Sequence, residues 1–354
     1  MNWYKKCSLF RVALLLFILV LCGCAAGKKS QEQIQPWKFA VISDTQGDSK
    51  TESDKPYINK KVLTMIADDV AKEHPDFVLV AGDLVSGWLH NGGVDYKTQY
   101  ATWKEVMKPV YDAGVKVYPV RGNHDDGPER FALSPLPANL EPPEGSQAAL
   151  KEAFLQAFDQ DYIPLNGPAG EEGFTYSFTH KNALIIGIDE FSVHQHKVNQ
   201  SWIEARIALK TEAHLFVYGH EPAFGVYHKD NLSFYPEERD QFWDAIGKGG
   251  GRVYFCGHDH MYNRAVIADN AGNKIREIVV GTAGGSPRTW SGQYLDARVK
   301  GEYAKDNLYG YVLVTIDGSK ATIQWKAITE VQEGNAWQVL DTFSYNLSEI
   351  IPHP

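Results

Sequence analysis

The chain has 354 residues and a formal net charge of −9, with 44% hydrophobic and 22% charged residues. This is the composition of a globular protein with enough apolar material for a large core. The negative charge argues against general binding to nucleic-acid polymers, because electrostatic attraction to phosphates dominates such binding. A small anionic substrate remains compatible with it, since bound divalent cations reverse the local sign.

Residues 1–23 read as a lipoprotein signal peptide, in which a basic start is followed by an apolar run. The sequence Leu-Cys-Gly-Cys at its end resembles a bacterial lipobox, and it places the lipid on Cys24. The alternative is an ordinary secretory signal cleaved near Ala26. We therefore expect residues 24–36 to be a tether. Acyl chains would anchor the protein to a membrane of the bacterial cell envelope, facing the periplasm or the exterior.

Strands and helices alternate after the tether. Apolar runs at residues 38–42, 76–81 and 115–120 have strand length, and residues 56–73 and 95–113 carry apolar side chains at helical spacing. This alternation predicts parallel βαβ units, in which the carboxyl ends of the strands meet at one edge of a sheet.

Residues 127–173 interrupt the alternation with seven prolines and one helical stretch near residues 147–158. A long Pro-rich segment directly after a strand end is a candidate lid or substrate-recognition element. The alternative is a solvent-exposed excursion that makes no contact with a ligand.

The second half of the chain is predicted to be mainly strands, with further helices at residues 199–210 and 236–247. The predicted strands are residues 174–178, 183–189, 214–218, 252–256, 277–280, 309–316, 322–327 and 337–343. No clear linker divides the sequence, so we expect residues 37–354 to form one domain that contains the Pro-rich insert.

Five of the predicted strands end in residue types that bind metals. These residues are Asp44 and Gln46, Asp83, Asn123 and His124, His220, and His258 and His260. One such strand end is common by chance, whereas five are not. Carboxylates, amide oxygens and imidazoles are ligands of divalent cations. The two imidazoles of Gly-His-Asp-His can reach two points of one pocket, which suits a site with two ions.

This set of motifs resembles the calcineurin-like metallophosphoesterases, which include the purple acid phosphatases. The likeness runs from about residue 37 to about residue 285. It implies an α/β fold, a four-layer αββα sandwich of two mixed sheets flanked by helices, with the site at the sheet edge. It also implies a phosphoric ester hydrolase, a mono- or diesterase, that acts on phosphorylated small molecules or nucleotides.

The resemblance also implies two divalent or trivalent metal ions, drawn from Mn, Fe, Zn and Mg. It assigns the first ion to Asp44, Asp83 and His260, and the second ion to Asp83, Asn123, His220 and His258. A hydroxide activated by both ions would attack phosphorus in line. His124 would protonate the leaving oxygen or stabilise the transition state. Asp125 would either orient His124 or cap the loop.

The sequence departs from the family pattern at Gln46, where many members have histidine. Purple acid phosphatases lack this histidine too, but they supply a tyrosine where this chain has Ser86. Gln46 would either coordinate through its amide oxygen or bond to a water on the metal. We hypothesise an oxygen-rich first site that binds Mn, Fe or Mg better than Zn. Arg288 is a candidate phosphate contact, or simply part of a turn.

Two other interpretations stay open. The chain could be a non-enzymatic surface binding protein on a degenerate phosphoesterase scaffold, which Gln46 favours and the retained His124 disfavours. It could also be a structural metalloprotein with closed sites. Cys256, in a predicted strand, reads as a small buried hydrophobic residue rather than a catalytic thiol.

Overall fold

The computed structural model describes residues 35–47, 57–87, 95–127, 146–159, 163–329 and 336–349. All of these described residues belong to one structural unit. The predicted signal peptide and the lipidation site Cys24 lie outside the described residues, and so do residues 128–145 of the Pro-rich insert.

Most of the described elements appear in the predicted order. The helices are Lys60–Glu73 (α1), Tyr96–Val106 (α2), Lys108–Asp112 (α3), Asn123–Asp126 (α4), Ser146–Phe158 (α5), Gln200–Ala208 (α6) and Pro236–Lys248 (α7). The strands are Trp37–Ile42 (β1), Phe77–Ala81 (β2), Lys116–Val120 (β3), Tyr176–His180 (β4), Ala183–Gly187 (β5), His214–Tyr218 (β6), Val253–Cys256 (β7), Tyr262–Ala268 (β8), Lys274–Val280 (β9), Lys300–Lys305 (β10), Tyr309–Asp317 (β11), Lys320–Ile328 (β12) and Trp337–Asn346 (β13).

These strands form two mixed sheets within the described parts of the chain. The first sheet has the order β13-β12-β11-β1-β2-β3, and the second has the order β10-β8-β9-β7-β6-β5-β4. In the first sheet β1, β2 and β3 are parallel, and in the second sheet β5, β6, β7 and β9 are parallel. The other neighbouring pairs are antiparallel.

Apolar cores on both sides of each sheet produce four layers. The core between the sheets contains Phe39, Phe77, Phe216 and Phe255, and the rings of Phe39 and Phe216 lie 5.2 Å apart across it. A second core fills the space between the first sheet and α1, α2 and α5. A third lies between the second sheet and α6 and α7. The predicted four-layer αββα sandwich is confirmed.

Strand β1 shows why the strands read as continuous apolar runs. Its side chains point alternately to the two faces of the sheet. Phe39 and Val41 enter the core between the sheets, whereas Ala40 and Ile42 enter the core beneath the helices. A strand that is buried on both faces needs apolar residues at every position.

Two predicted helix boundaries are wrong. The helix expected over residues 95–113 is divided at Met107, because Pro109 in the first turn of α3 has no N–H group to continue the hydrogen-bond ladder of α2. The first helix begins at Lys60, because the side chain of Asn59 accepts a hydrogen bond from the N–H of Val62 and caps it.

Strands β8 and β10 are absent from the sequence prediction. Strand β8 begins two residues after His260, without turn residues that would separate it from the preceding motif. Strand β10 is mostly exposed and contains three lysine or glutamate side chains, so it lacks an apolar run.

Helix α5, which belongs to the Pro-rich insert, packs into the fold. Its Phe154 and Phe158 are buried in the core beneath the helices. Both rings contact Tyr100 of α2 at centroid distances of 5.8 Å. This part of the insert is therefore not a solvent-exposed excursion.

A buried ion-pair cluster joins the two sheets near their carboxyl edges. Arg121 follows β3 in the first sheet, and Asp189 follows β5 in the second. The guanidinium group donates from Nε and Nη2 to the two carboxylate oxygens of Asp189, both at 2.9 Å, and from Nη1 to Asp126 at 2.8 Å. The central carbon of the guanidinium group lies 4.2 Å from the centre of the Phe174 ring. The planar group and its partners are nearly completely buried.

We expect Glu277 in β9 to make stability depend on pH. Burial raises the pKa of this carboxyl from 4.5 to about 8. The folded chain therefore keeps a proton that the unfolded chain releases, and its stability falls as the pH rises from 4.5 to about 8. The variant Glu277→Gln keeps the acceptor for the N–H of Phe224 but removes the titration.

Urea unfolding at pH 5 and pH 9 measures this effect. The loss of stability at the higher pH should be smaller in Glu277→Gln than in the native chain, by on the order of 3–5 kcal/mol. The exposed Glu237→Gln serves as the matched control. Equal losses in the native chain and in Glu277→Gln would refute the expectation.

Candidate metal centre

The predicted ligands meet where the carboxyl ends of the parallel strands of both sheets come together. They follow β1 (Asp44), β2 (Asp83), β3 (Asn123), β6 (His220) and β7 (His258 and His260). Candidate ligand atoms of Asp44, Asp83 and His220 all lie within 4.8 Å of one another, and the three side chains are buried. The centre is thus formed by both sheets, as the strand-end pattern predicts.

Three acceptor atoms face one another around His220. Its Nδ1 donates to the carbonyl oxygen of Ala81 at 2.9 Å, so Nε2 faces the site with its lone pair when the ring is neutral. This Nε2 lies 2.8 Å from Oδ1 of Asn123 and 3.4 Å from Oδ2 of Asp83. Three acceptors this close need a cation or a proton between them, so the donor set fits a metal ion.

Without a metal ion, the same geometry determines the pKa values of His220, Asp44 and Asp83. Burial lowers the pKa of His220, but the carboxylates of Asp83 and Asp44 outweigh it and hold that pKa well above its ordinary value. Burial also raises the pKa of Asp44 to about 7. The pKa of Asp83 is instead lowered against the effect of burial, because His220 and His124 are close. A proton on His220 occupies the position that a cation would take.

His258 completes this side of the centre. Its Nδ1 lies 2.9 Å from Oδ1 of Asn123, and the amide oxygen therefore faces both imidazoles. Its Nε2 is buried and has no hydrogen-bond partner among the described residues. The structure thus brings together the four residues assigned to the second predicted site, which are Asp83, Asn123, His220 and His258. Their role as metal ligands stays a prediction.

His260 and Gln46 lie on the other side of the centre. Nδ1 of His260 donates to the carbonyl oxygen of Ser286 at 2.9 Å, and its Nε2 lies 3.5 Å from Oδ1 of Asp44. Nε2 of Gln46 lies 3.0 Å from Oδ2 of Asp83 and 3.1 Å from Nε2 of His260. The amide group of Gln46 therefore lies among the ligands of the first predicted site.

The other end of that amide also fits a metal site. Oε1 of Gln46 is buried, and within the described parts of the chain it accepts no hydrogen bond. Half a turn of the amide group would direct Oε1 toward a cation between Asp83 and His260. The two alternatives for Gln46, direct coordination and a bond to a water on the metal, both suit this position.

Backbone conformation helps to direct the ligands. Asp44, Asp83 and His258 have φ values of 57°, 52° and 68°, in the left-handed region that residues other than glycine rarely adopt. Such strain persists only where the surroundings fix it. The N–H of Asp44 donates to the carbonyl oxygen of Gly82, and the N–H of His258 donates to the carboxylate of Asp44.

The glycines of the motifs leave room for ligands from other strands. A Cβ atom on Gly122 would lie 2.1 Å from Oδ1 of Asp83, and one on Gly257 would lie 2.2 Å from Oδ2 of Asp44. A Cβ atom on Gly285 would lie 2.7 Å from the ring of His260. Each contact is shorter than atoms allow, so these positions require glycine.

His124 adjoins the centre without joining the ligand group. Its N–H donates to Oδ1 of Asp83 at 2.8 Å, and its ring Nδ1 donates to the carbonyl oxygen of Ser86 at 2.8 Å. Its Nε2 lies 3.9 Å from Oδ2 of Asp83, and the side chain is 24% exposed. The ring is therefore within reach of a substrate that occupies the centre.

Asp125 caps the loop rather than orienting His124. Its carboxylate accepts hydrogen bonds from the N–H groups of Gly122 and Leu84 and from the hydroxyl of Tyr100. Of the two roles that the sequence leaves open, the structure supports the cap.

Ser86 and Arg288 lie on loops next to the predicted ligands. The Ser86 hydroxyl donates to the backbone oxygens of Gly47 and Tyr57, so it orders a loop and does not replace the tyrosine ligand. Arg288 is exposed, and its N–H donates to the carbonyl oxygen of His260 at 3.3 Å. This backbone hydrogen bond places residue 288 next to His260, and the role of its side chain as a phosphate contact stays a prediction.

Two buried acidic side chains beside the predicted ligands, Glu190 and Asp259, are absent from the prediction. Glu190 accepts hydrogen bonds from the N–H of His220 and from the hydroxyl of Tyr254. Asp259 accepts from the N–H groups of Val226, Tyr227 and His228. Both were detectable, since Glu190 follows a strand end and Asp259 separates the two motif histidines.

We expect Gln46→His to change the metal preference of the centre. An imidazole is a better zinc ligand than an amide oxygen, so zinc affinity should rise relative to manganese affinity by roughly tenfold or more. Competition titrations of the metal-free protein with both ions measure this ratio. The exposed Gln156→His, on α5, is the matched control. An unchanged ratio in Gln46→His would show that this position does not influence metal choice.

Comparisons with solved structures find the same fold. A purple acid phosphatase from yellow lupin seeds is 17% identical, with a TM-score of 0.64 over 88% of this chain and 54% of that one. The structure of PhoD is 15% identical, with a TM-score of 0.63 over 89% and 70%. The Plasmodium protein GAP50, described as the anchor in the inner membrane complex, is 16% identical, with a TM-score of 0.53 over 88% and 89%. The chain thus spans about half the length of the lupin enzyme.

No curated protein matches the chain by sequence. A family model does match it, and the match covers residues 38–262, which include every predicted metal ligand. Together with the geometry of the centre, this match establishes that the chain belongs to the calcineurin-like phosphoesterase family.

Proposed function

We propose that this family member hydrolyses phosphate esters at a centre of two metal ions. The observation that carries the proposal is the convergence of Asp83 Oδ2, Asn123 Oδ1 and His220 Nε2 in a buried space. A family of phosphoric ester hydrolases and a donor set suited to divalent cations agree with it. The choice between monoesters and diesters is left to the experiment below.

The ligands divide into two groups that share Asp83. Asp44, Asp83 and His260, with Gln46 beside them, would hold one ion, and Asp83, Asn123, His220 and His258 would hold the other. When bound, such a pair of ions supplies an activated hydroxide and positive charge for the phosphate oxygens. Mn, Fe, Zn and Mg all accept these ligands.

His124 is proposed to act on the leaving group. Because Nδ1 donates to the carbonyl oxygen of Ser86, the Nε2 atom is the one available to hold a proton toward the substrate. That proton would pass to the leaving oxygen or stabilise its developing charge. Asp83 is held by the N–H of His124, so the acid and the shared ligand are fixed relative to each other.

We expect metal-dependent hydrolysis by the full chain purified in detergent. The protein is stripped with a chelator and supplied singly with Mn, Fe, Zn or Mg, and p-nitrophenyl phosphate and bis-p-nitrophenyl phosphate are offered. His124→Ala should retain metal but lose roughly 10²–10⁴-fold in kcat. Asp83→Asn should lose both metal and activity, because the shared ligand is removed.

The preferred ester assigns the enzyme to the monoesterases or the diesterases. The exposed Asp112→Asn is the control for Asp83→Asn and should behave as the native chain does. Stoichiometric metal without turnover of either ester would contradict the proposal and favour the surface binding protein. Absence of bound metal would refute the ligand assignment.

The proposal includes lipid attachment at Cys24 and anchoring in the bacterial cell envelope. Its support is the order of basic, apolar and lipobox residues at the start of the sequence, outside the described residues. Within the described residues, we find no helix whose length and apolar character would let it cross a bilayer.

Replacement of the anchor residue tests this location. Cys24→Ser expressed in a bacterial host should move from the membrane fraction to the soluble fraction, and mass spectrometry should show the loss of the acyl chains. Cys7→Ser is the control, because Cys7 lies within the predicted signal peptide. Absence of acyl chains from Cys24 of the native chain in the mass spectrum would refute lipid anchoring.

A further inference from the structure

A cleft of about 480 Å³ opens from one side of the metal centre. Two predicted ligands, Asn123 and His258, line it. The other lining residues include Phe191, His196, Glu221, Asp230, Phe234 and Tyr235. Its volume lies within the range of small-molecule sites, roughly 300–1,000 Å³. The cleft therefore adjoins the centre through Asn123 and His258.

Glu221 places an unused acceptor in the cleft wall. The residue is 1% exposed, and its Oε1 lies 2.8 Å from Nδ1 of His196. Its Oε2 is buried and accepts no hydrogen bond from any described residue. A buried acceptor without a donor costs free energy, which a ligand that supplies an O–H donor would recover.

A second carboxylate lies on the same cleft. Asp230 lines it, and its Oδ1 lies 3.8 Å from Nε2 of His258, the buried ring nitrogen that faces this side. The Asp230 side chain is about half exposed, so it can meet a ligand at the cleft without first being uncovered. Two carboxylates at different depths can accept hydrogen bonds from several hydroxyl groups of one ligand.

Aromatic side chains supply the apolar walls. Phe191 is buried, whereas Phe234 is 58% exposed although it is a large apolar residue. The ring of Phe234 lies 5.1 Å from that of Tyr235 and 5.4 Å from that of His196. An exposed aromatic face beside carboxylate acceptors suits a ring that has both a flat apolar face and hydroxyl groups at its edge.

We propose that this cleft binds the alcohol part of the substrate, and that this alcohol is a polyhydroxylated ring, as in a sugar or a nucleoside. Its hydroxyl groups donate to Glu221 and Asp230, and its face packs on Phe234 and Tyr235. The inference rests on the proposed phosphoesterase activity and names the substrate class of that site.

Substrate comparisons with the full chain test the inference. Ribose 5-phosphate and adenosine 5′-monophosphate should have kcat/KM values roughly tenfold or more above those of propyl phosphate and phosphoethanolamine. Glu221→Gln replaces one acceptor oxygen by an amide donor. It should lower the ratio of kcat/KM for ribose 5-phosphate to that for propyl phosphate by roughly tenfold. The exposed Glu204→Gln is the matched control.

Phe234→Ala distinguishes the two sources of the ring, and its exposed position keeps the fold intact. If Phe234→Ala lowers kcat/KM for adenosine 5′-monophosphate alone, the ring is a nucleoside. If it lowers kcat/KM equally for ribose 5-phosphate, the ring is a sugar. Either loss supports the inference. The inference is overturned if propyl phosphate or phosphoethanolamine has a kcat/KM equal to or above that of the ring-containing substrates. It is also overturned if Glu221→Gln lowers kcat/KM equally for all esters.

Binding to the metal-free protein separates this inference from the proposed function. Calorimetry with adenosine and with ribose should detect binding of at least one of them, weakened in Glu221→Gln and not in Glu204→Gln. If the protein hydrolyses p-nitrophenyl phosphate but neither binds hydroxyl-rich compounds nor prefers them as substrates, the cleft assignment alone is refuted. Failure to hydrolyse any ester, with binding retained, refutes the phosphoesterase proposal and leaves the cleft assignment standing.

Discussion

The close approach of acceptor atoms in a buried space is the constraint on which the rest of the structure depends. Oδ1 of Asn123 lies 2.8 Å and Oδ2 of Asp83 lies 3.4 Å from Nε2 of the His220 imidazole. Without a positive charge among them this arrangement is unfavourable, because each atom has lost its water. The raised pKa of His220 reflects the same requirement.

The fold sustains that arrangement through the backbone rather than through the ligands alone. The left-handed conformations of Asp44, Asp83 and His258 direct the ligand side chains inward, and Gly122 and Gly257 leave space where strands from the two sheets approach. Hydrogen bonds from Nδ1 of His220 and His260 to backbone carbonyls fix which ring nitrogen faces the centre. Contacts within the chain thus hold the predicted ligands in place.

Much of the fold and of the candidate site was predictable from the sequence. Buried parallel strands are continuous apolar runs, and their carboxyl ends share an edge of the sheet. Asp44, Asp83, Asn123 and His220 were found by that rule, and the structure places all of them together. The division between α2 and α3 and the start of α1 depend on single local features at Pro109 and Asn59. Those features are visible in the sequence but compete with a longer helical pattern.

Other parts could not be read from local pattern. The edge strand β10 has no apolar run, since it is exposed and held by pairing with β8. The cleft beside the centre combines Glu221 with residues that lie more than ten positions away, such as Phe234 and His196. Only the packing of the second sheet's loops brings these side chains together. Periodicity carries no information about such long-range neighbours.

The Arg121 cluster has a mechanical consequence for the centre. The predicted ligands follow strands of both sheets, so sliding of one sheet past the other would separate them. Arg121 is joined to Asp126 on its own side and by two parallel hydrogen bonds to Asp189 on the other. Breaking the pair of Arg121 and Asp189 would leave two buried charges without a partner and without water, which is strongly unfavourable. The Arg121 cluster therefore opposes sliding of one sheet past the other at the edge where the predicted ligands meet.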